Sequence, residues 1–430
     1  MRKKWFLYLA SGLLAVNSTV SCDKKDVDKK SSKKIINISE QRSIVDKVLD
    51  YESKAELIEE AVIPILTLED ESTLEALKTF SENYYEAIDR LIEAKGTITS
   101  KDYSPIFYEL VGKPLGNHIL ANNKELRSRI IKLNNGRFST IKEFYSFLED
   151  YFIDKGVYLA AESKLGSFGS IASIVAYKIK SKGRISGNIF GHNVEGISSI
   201  GFGEEINPSY EVSRLRKRMH VGKLHTHNHQ YQHKRKRLVH GYSDIDNTFR
   251  EFEKRAAKAD FKRKSKNASE LIDKLLFNRL YGDNQGITEE KKRAYLKSVW
   301  LHEDTHALFH ILYSHKNIDG ITYSNRSEQS SYLTELVTAR DNIIYLRFAN
   351  YLAMGNDVEY KEGAGEFLNF CVNYVYNNRT DFRNINFDAG GKDLAQDILM
   401  QFDKLSVPQI RNLAARYLVT NFPRHLEKLK

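Results

Sequence analysis

The run Trp300-Leu301-His302-Glu303-Asp304-Thr305-His306-Ala307-Leu308-Phe309-His310 constrains this chain more than any other stretch. It reads H-E-x-x-H inside helical spacing. Residues four apart share a helix face, so His302 and His306 present two imidazoles to one point. Glu303 stands beside that point, where a carboxylate can take a proton from metal-bound water. The chain has two cysteines, Cys22 and Cys371, and no cysteine cluster. A metal here therefore has His and carboxylate ligands. Cys371, in the apolar run Phe367–Cys371, reads as a buried core thiol.

Acids for a third ligand lie on the next predicted helix. Ser327 reads as its cap, and its apolar and acidic positions run through Glu328, Tyr332, Leu333, Glu335, Leu336, Val337, Ile343 and Leu346. Glu328 and Glu335 are seven apart and share a face. Apolar neighbours carry Glu335 toward the core side, where a carboxylate needs a partner as strong as Zn2+. Glu335 is the expected third ligand. Two alternatives stand beside it: Glu328 as ligand with Glu335 in support, and an ion pair from Glu335 to Arg340 or Arg347.

Together these residues resemble the active-site helices of the zincin metallopeptidases, in their gluzincin arrangement. The resemblance implies Zn2+ held by His302, His306 and Glu335, with Glu303 as general base in peptide-bond hydrolysis. Ala339 stands where many gluzincins have an aspartate. That leaves Asp341 or Asp304 to hold a ligand histidine by its other ring nitrogen. His310 continues the same face, and Tyr313, Tyr323 and Tyr332 are candidate oxyanion donors. No strand signal that would align a peptide appears between Ile287 and His302.

The middle of the chain carries a second constellation. Ser170–Ile179, Gly183–Phe190, Gly196–Phe202 and His220–His225 have strand patterning. His225-Thr226-His227 ends the last of these, and Ser243-Asp244-Ile245-Asp246 follows at a helix start. This H-x-H with S-x-x-D resembles the JAMM (Mov34/MPN-type) metalloproteases. The resemblance implies a second metal site of His225, His227 and Asp246, with Ser243 supporting the oxyanion. The sequence departs from it in the cationic run Lys234–Arg237 and in the absence of an acid from Ser170–Tyr177. Basic residues from Arg214 to Lys266 suit anionic lipid head groups, an acidic partner or plain solvation. With an export signal ahead of them, no nucleic acid is expected as a partner.

Met1-Arg2-Lys3-Lys4 and the apolar run Trp5–Val16 form a charged and then a hydrophobic segment too short to span a bilayer. Ser18-Thr19-Val20-Ser21-Cys22 follows and resembles the lipobox of bacterial lipoproteins. That implies cleavage before Cys22, acylation of Cys22 and anchorage to a lipid bilayer of the cell envelope, inner or outer.

The 430 residues are 41% hydrophobic and 28% charged, with net charge +10 and only six prolines, which excludes a disordered chain. The expected class is α+β. Its expected parts are a signal (1–21), a Lys/Asp-rich tether (22–38), a helical scaffold (39–155), a small α/β domain (156–255), a basic linker (256–286) and a mostly helical H-E-x-x-H domain (287–430). The expected function is a membrane-anchored zinc metallopeptidase acting on proteins or peptides. The alternatives are a JAMM-like isopeptidase at His225 and His227, and a non-catalytic surface lipoprotein that binds an acidic partner.

Overall fold

The computed structural model describes residues 38–96, 100–134, 141–162, 173–206, 230–232, 237–241, 249, 268–280, 288–313, 322–354, 361–387 and 394–429. Cys22, His225, His227, Ser243 and Asp246 lie outside the described residues. The fold is α+β, and the chain divides into two compact units. One consists of residues 57–184 and 197–246, the other of 1–56, 185–196 and 247–430. This division differs from the consecutive parts expected from sequence. Helices of the N-terminal scaffold and strands of the middle region bury their apolar faces in one shared core, so they form one unit.

Six strands form a mixed sheet: β1 (Lys54–Glu60), β2 (Val157–Glu162), β3 (Ser173–Ile189), β4 (His192–Glu205), β5 (Gln230–Gln232) and β6 (Arg237–Gly241). Their order is β1-β3-β4-β6-β5, and β2 also pairs with β3. β2 and β3 are antiparallel with Val157 opposite Lys178; β4 and β6 are parallel with Ile200 opposite Val239. Sequence patterning expected two strands where β3 is continuous. The reason is Gly183, which reads as a break but marks a close approach: a Cβ there would strike the Ile58 carbonyl.

The helices of this unit are α2 (Leu68–Lys95), α3 (Ser100–Phe107), α4 (Lys113–Asn122), α5 (Lys124–Asn134) and α6 (Ile141–Asp154); α1 (Ile38–Asp50) precedes them in the other unit. Tyr84, Phe107, Val111, Ile119, Leu126 and Phe152 pack with Val157, Leu159 and Ile174 into the main core. α2 begins at a capped N-terminus. The cap is Thr67, in a reciprocal capping box with Asp70, while the Thr73 hydroxyl donates to the Glu69 carbonyl at 2.8 Å. Asp70 also accepts from Tyr151 Oη at 2.6 Å and Asn123 Nδ2 at 3.1 Å. Burial opposes its ionisation, but these hydrogen bonds hold its carboxyl below the usual range.

Among its described residues the second unit has, besides α1, the start of β1 and the tip of the β3–β4 hairpin, the helices α7 (Ala268–Lys274), α8 (Glu289–Leu312), α9 (Tyr323–Thr338), α10 (Ile343–Met354), α11 (Lys361–Asn377), α12 (Leu394–Leu399) and α13 (Val407–Asn421). α8 starts with Thr288 as N-cap, accepting from the Lys291 amide. The following helix does not start at Ser327 or run on to Leu346. Thr322 caps it, and Ala339 ends α9 in an extended conformation. Asp341 then accepts the Ile343 amide at 3.0 Å as α10 begins.

The hairpin turn is Phe190-Gly191, with φ of 48° and 84°. Positive φ at both central residues matches the twist of the strands it joins, and a bulky residue there needs holding. Phe190 is fully buried, and its amide donates to Ser53 Oγ at 3.2 Å.

Candidate metal centre

α8 and α9 pack along each other, and their facing sides carry the polar residues that elsewhere sit on surfaces. His302, Glu303, Asp304, His306, Asn325, Arg326, Ser327, Gln329 and Glu335 are all buried. Burying so many polar groups is unfavourable unless each finds a partner.

His302 Nε2 and His306 Nε2 lie 3.1 Å apart, as the i, i+4 spacing on α8 requires. The Glu328 carboxylate on α9 faces both: Oε2 is 3.2 Å from His302 Nε2, and Oε1 is 3.5 Å from His306 Nε2. One donor atom from each of the three residues falls in a group compact enough to hold a metal ion. Tetrahedral ligands about 2.0–2.1 Å from zinc lie about 3.3–3.4 Å from one another. The two Nε2 atoms, and each Nε2 with the Glu328 oxygen nearest it, are separated by distances of that size.

The other side of each ring is occupied. His306 Nδ1 meets Ser327 Oγ at 2.7 Å, and His302 Nδ1 is bonded to Glu335 Oε1. An Nδ1–H donated to these oxygens leaves Nε2 of both rings as the lone-pair nitrogen facing Glu328. Glu335 in turn takes Ser298 Oγ at 2.7 Å and a bidentate contact from Arg347, whose Nη2 approaches Oε1 at 2.5 Å.

Glu335 is thus not grouped with the two Nε2 atoms; the carboxylate that the structure brings to them is that of Glu328, the alternative read from the sequence. The physical reason is reach along α9. Seven residues put both side chains on one face but their Cα atoms about 10 Å apart along the axis, so the two carboxylates reach opposite edges of the His302 ring. Glu328 lies level with the metal-facing edges, and Glu335 one ring-width further, against Nδ1 and Arg347. Among the described residues neither Asp341 nor Asp304 bonds to His302 or His306. Asp341 starts α10, and Asp304 points toward Gly187 in the hairpin. Ser327, read from sequence as a cap, bonds to His306 instead. Ser298 had no signal beyond being one turn ahead of His302.

Charge follows this geometry. Burial disfavours protonation of His302, but the carboxylates of Glu335 and Glu328 raise its pKa to about 10. Burial also opposes ionisation of Glu328, yet the His306 and His302 imidazoles hold it well below the usual carboxylate range. Glu335 is held low against burial by Arg347 and then His302. Glu303 goes the other way: burial raises its pKa, and His306 and His302 only partly offset this. Its Oε2 is buried with no hydrogen-bond partner among the described residues. Two imidazole Nε2 atoms and a carboxylate, beside a carboxyl with one partnerless oxygen, are a donor set that fits a divalent cation with a water, the cation taking the place of the proton that the carboxylates hold on His302.

Of the three tyrosines named as oxyanion donors, Tyr332 lies edge-on to His302 with ring centroids 4.7 Å apart. Tyr323 Oη is engaged with His310 Nδ1 at 2.7 Å, and Tyr313 stacks on Phe309. No match to the chain is found among protein-family models, curated protein sequences or solved structures.

Proposed function

We propose that the protein is a zinc-dependent hydrolase that cleaves peptide bonds, with His302, His306 and Glu328 as the zinc ligands and Glu303 as the general base. The observation that carries this reading is the triangle of two Nε2 atoms and one carboxylate, with both Nδ1 atoms tied back. Zinc bound there would lower the pKa of a coordinated water toward about 7.

The remaining roles belong to the chain itself. Glu303, next to a ligand and free at Oε2, takes a proton and returns it to the leaving amine. Burial, which raises its pKa, makes it a better proton acceptor than an exposed carboxylate. Glu335 and Ser327 fix the tautomers of the two histidines, and Arg347 fixes Glu335. Tyr332 covers one flank of His302 and excludes water there.

The test is Glu303→Gln in the full chain, assayed against a quenched peptide library together with zinc content. The proposal expects zinc retained and hydrolysis reduced by about 10^2-fold or more. Full activity in this variant would overturn it.

A further inference from the structure

The described residues expose ten large hydrophobic side chains, and four of them fall within one short stretch: Ile58 (63%), Ile63 (69%), Ile65 (60%) and Leu68 (84%). Clustering of this kind marks contact surfaces, whereas scattered exposed apolar residues do not. The stretch begins in β1, at the end of the sheet order, and runs through residues 61–67 to the start of α2.

Its conformation is set by burial that alternates. Leu57 is half-buried, as are Val62 and Leu66, which pack against the sheet and helix cores of their unit. Ile58, Ile63 and Ile65 point outward between them. Pro64 sits over Gly156, and the proline ring biases Ile63 toward an extended backbone. From Ala61 to Leu66 the backbone makes no backbone hydrogen bond among the described residues. Edge strands usually carry charge to discourage pairing. Here the charge within 57–71 is acidic: exposed Glu59 and Glu60 follow Ile58, with Glu60 3.9 Å from Arg184 of β3, and exposed Glu71 follows Leu68. This acidic border disfavours both an anionic bilayer and a second copy of the same edge.

We infer that residues 58–68 are a docking edge for an extended segment of another protein that alternates apolar with basic residues. The segment adds alongside β1 and the stretch after it, as strand addition does. Its apolar side chains cover Ile58, Ile63 and Ile65, and its lysines or arginines meet Glu59, Glu60 and Glu71. This inference rests on the β1 unit alone and is independent of the metal centre.

The test uses the full chain and two fluorescein-labelled twelve-residue peptides, one alternating valine with lysine and one alternating valine with glutamate. Fluorescence anisotropy is expected to show saturable binding of the lysine peptide only, weakening as salt is raised. Ile63→Ser with Ile65→Ser should weaken that binding by about tenfold or more, and Glu59→Lys with Glu60→Lys likewise. Both pairs are exposed, so unchanged thermal unfolding is the control. Equal binding of the two peptides, no binding, or binding unaffected by either pair of substitutions would overturn the inference. So would sedimentation showing a dimer that Ile63→Ser with Ile65→Ser dissociates.

Discussion

Glu335 is clamped from two sides, by His302 Nδ1 and by the Arg347 guanidinium, and all three are buried. A buried carboxylate between an imidazole and a guanidinium is stable only while both remain. Arg347 also lies over the rings of Tyr295 and Tyr332, at 5.6 and 5.3 Å from their centroids.

Arg347→Met should therefore do more than remove a contact. It strands a charged carboxylate in a dry site, a loss of about 3–5 kcal/mol. Arg347→Met combined with Glu335→Leu should recover a large part of that loss, measured by urea unfolding. Equal destabilisation by the single and double variants would contradict the clamp.

Ser327→Ala leaves the fold of α9 intact and removes the partner of His306 Nδ1. Zinc affinity, measured by competition with a chelating dye, should fall by about 10- to 100-fold. Thr322→Ala, which removes the actual cap of α9, should lower thermal stability and change zinc affinity much less.

Gly187 in β3 faces Asp304, and a Cβ at that position would strike the Asp304 carboxylate. Gly187→Ala should cost about 1–3 kcal/mol. Asp304→Ala should relieve it, so that the double variant is more stable than the sum of the two singles. Additivity in that cycle would mean that the hairpin does not bear on α8.

These last two relationships mark how far the sequence was legible. The helical spacing of His302 and His306 with Glu303 between them follows from periodicity, and the structure has all three on α8. The choice between Glu328 and Glu335 does not follow, because face periodicity specifies azimuth on a helix and not height along it. Ser327 looked like a helix cap because serine before an apolar run usually is one, and nothing local distinguishes a cap from a hydrogen-bond partner brought by packing. The continuity of β3 through Gly183, and the approach of Gly187 to Asp304, depend on neighbours more than a hundred residues away or on a different strand.

His425 supplies a pH dependence. It is fully buried against Phe309, Tyr313 and Phe422, and neither ring nitrogen has a hydrogen-bond partner among the described residues. Burial, with a smaller contribution from His192, lowers its pKa from 6.5 to about 3. The unfolded chain then binds a proton that the folded chain refuses, so stability present above pH 6.5 is lost as pH falls toward 3. Between pH 6.5 and pH 5 this amounts to about 2 kcal/mol. His425→Phe should remove that portion of the slope in urea unfolding at pH 7 and pH 5. An unchanged slope would show that His425 does not titrate in this way.

The most direct test of the metal centre is zinc content per chain after exhaustive dialysis, by mass spectrometry of the metal. The account predicts one equivalent in the wild-type protein, none in His306→Ala or Glu328→Ala, and one in His225→Ala with His227→Ala. Zinc that persists in Glu328→Ala and disappears only with His225 and His227 would contradict it.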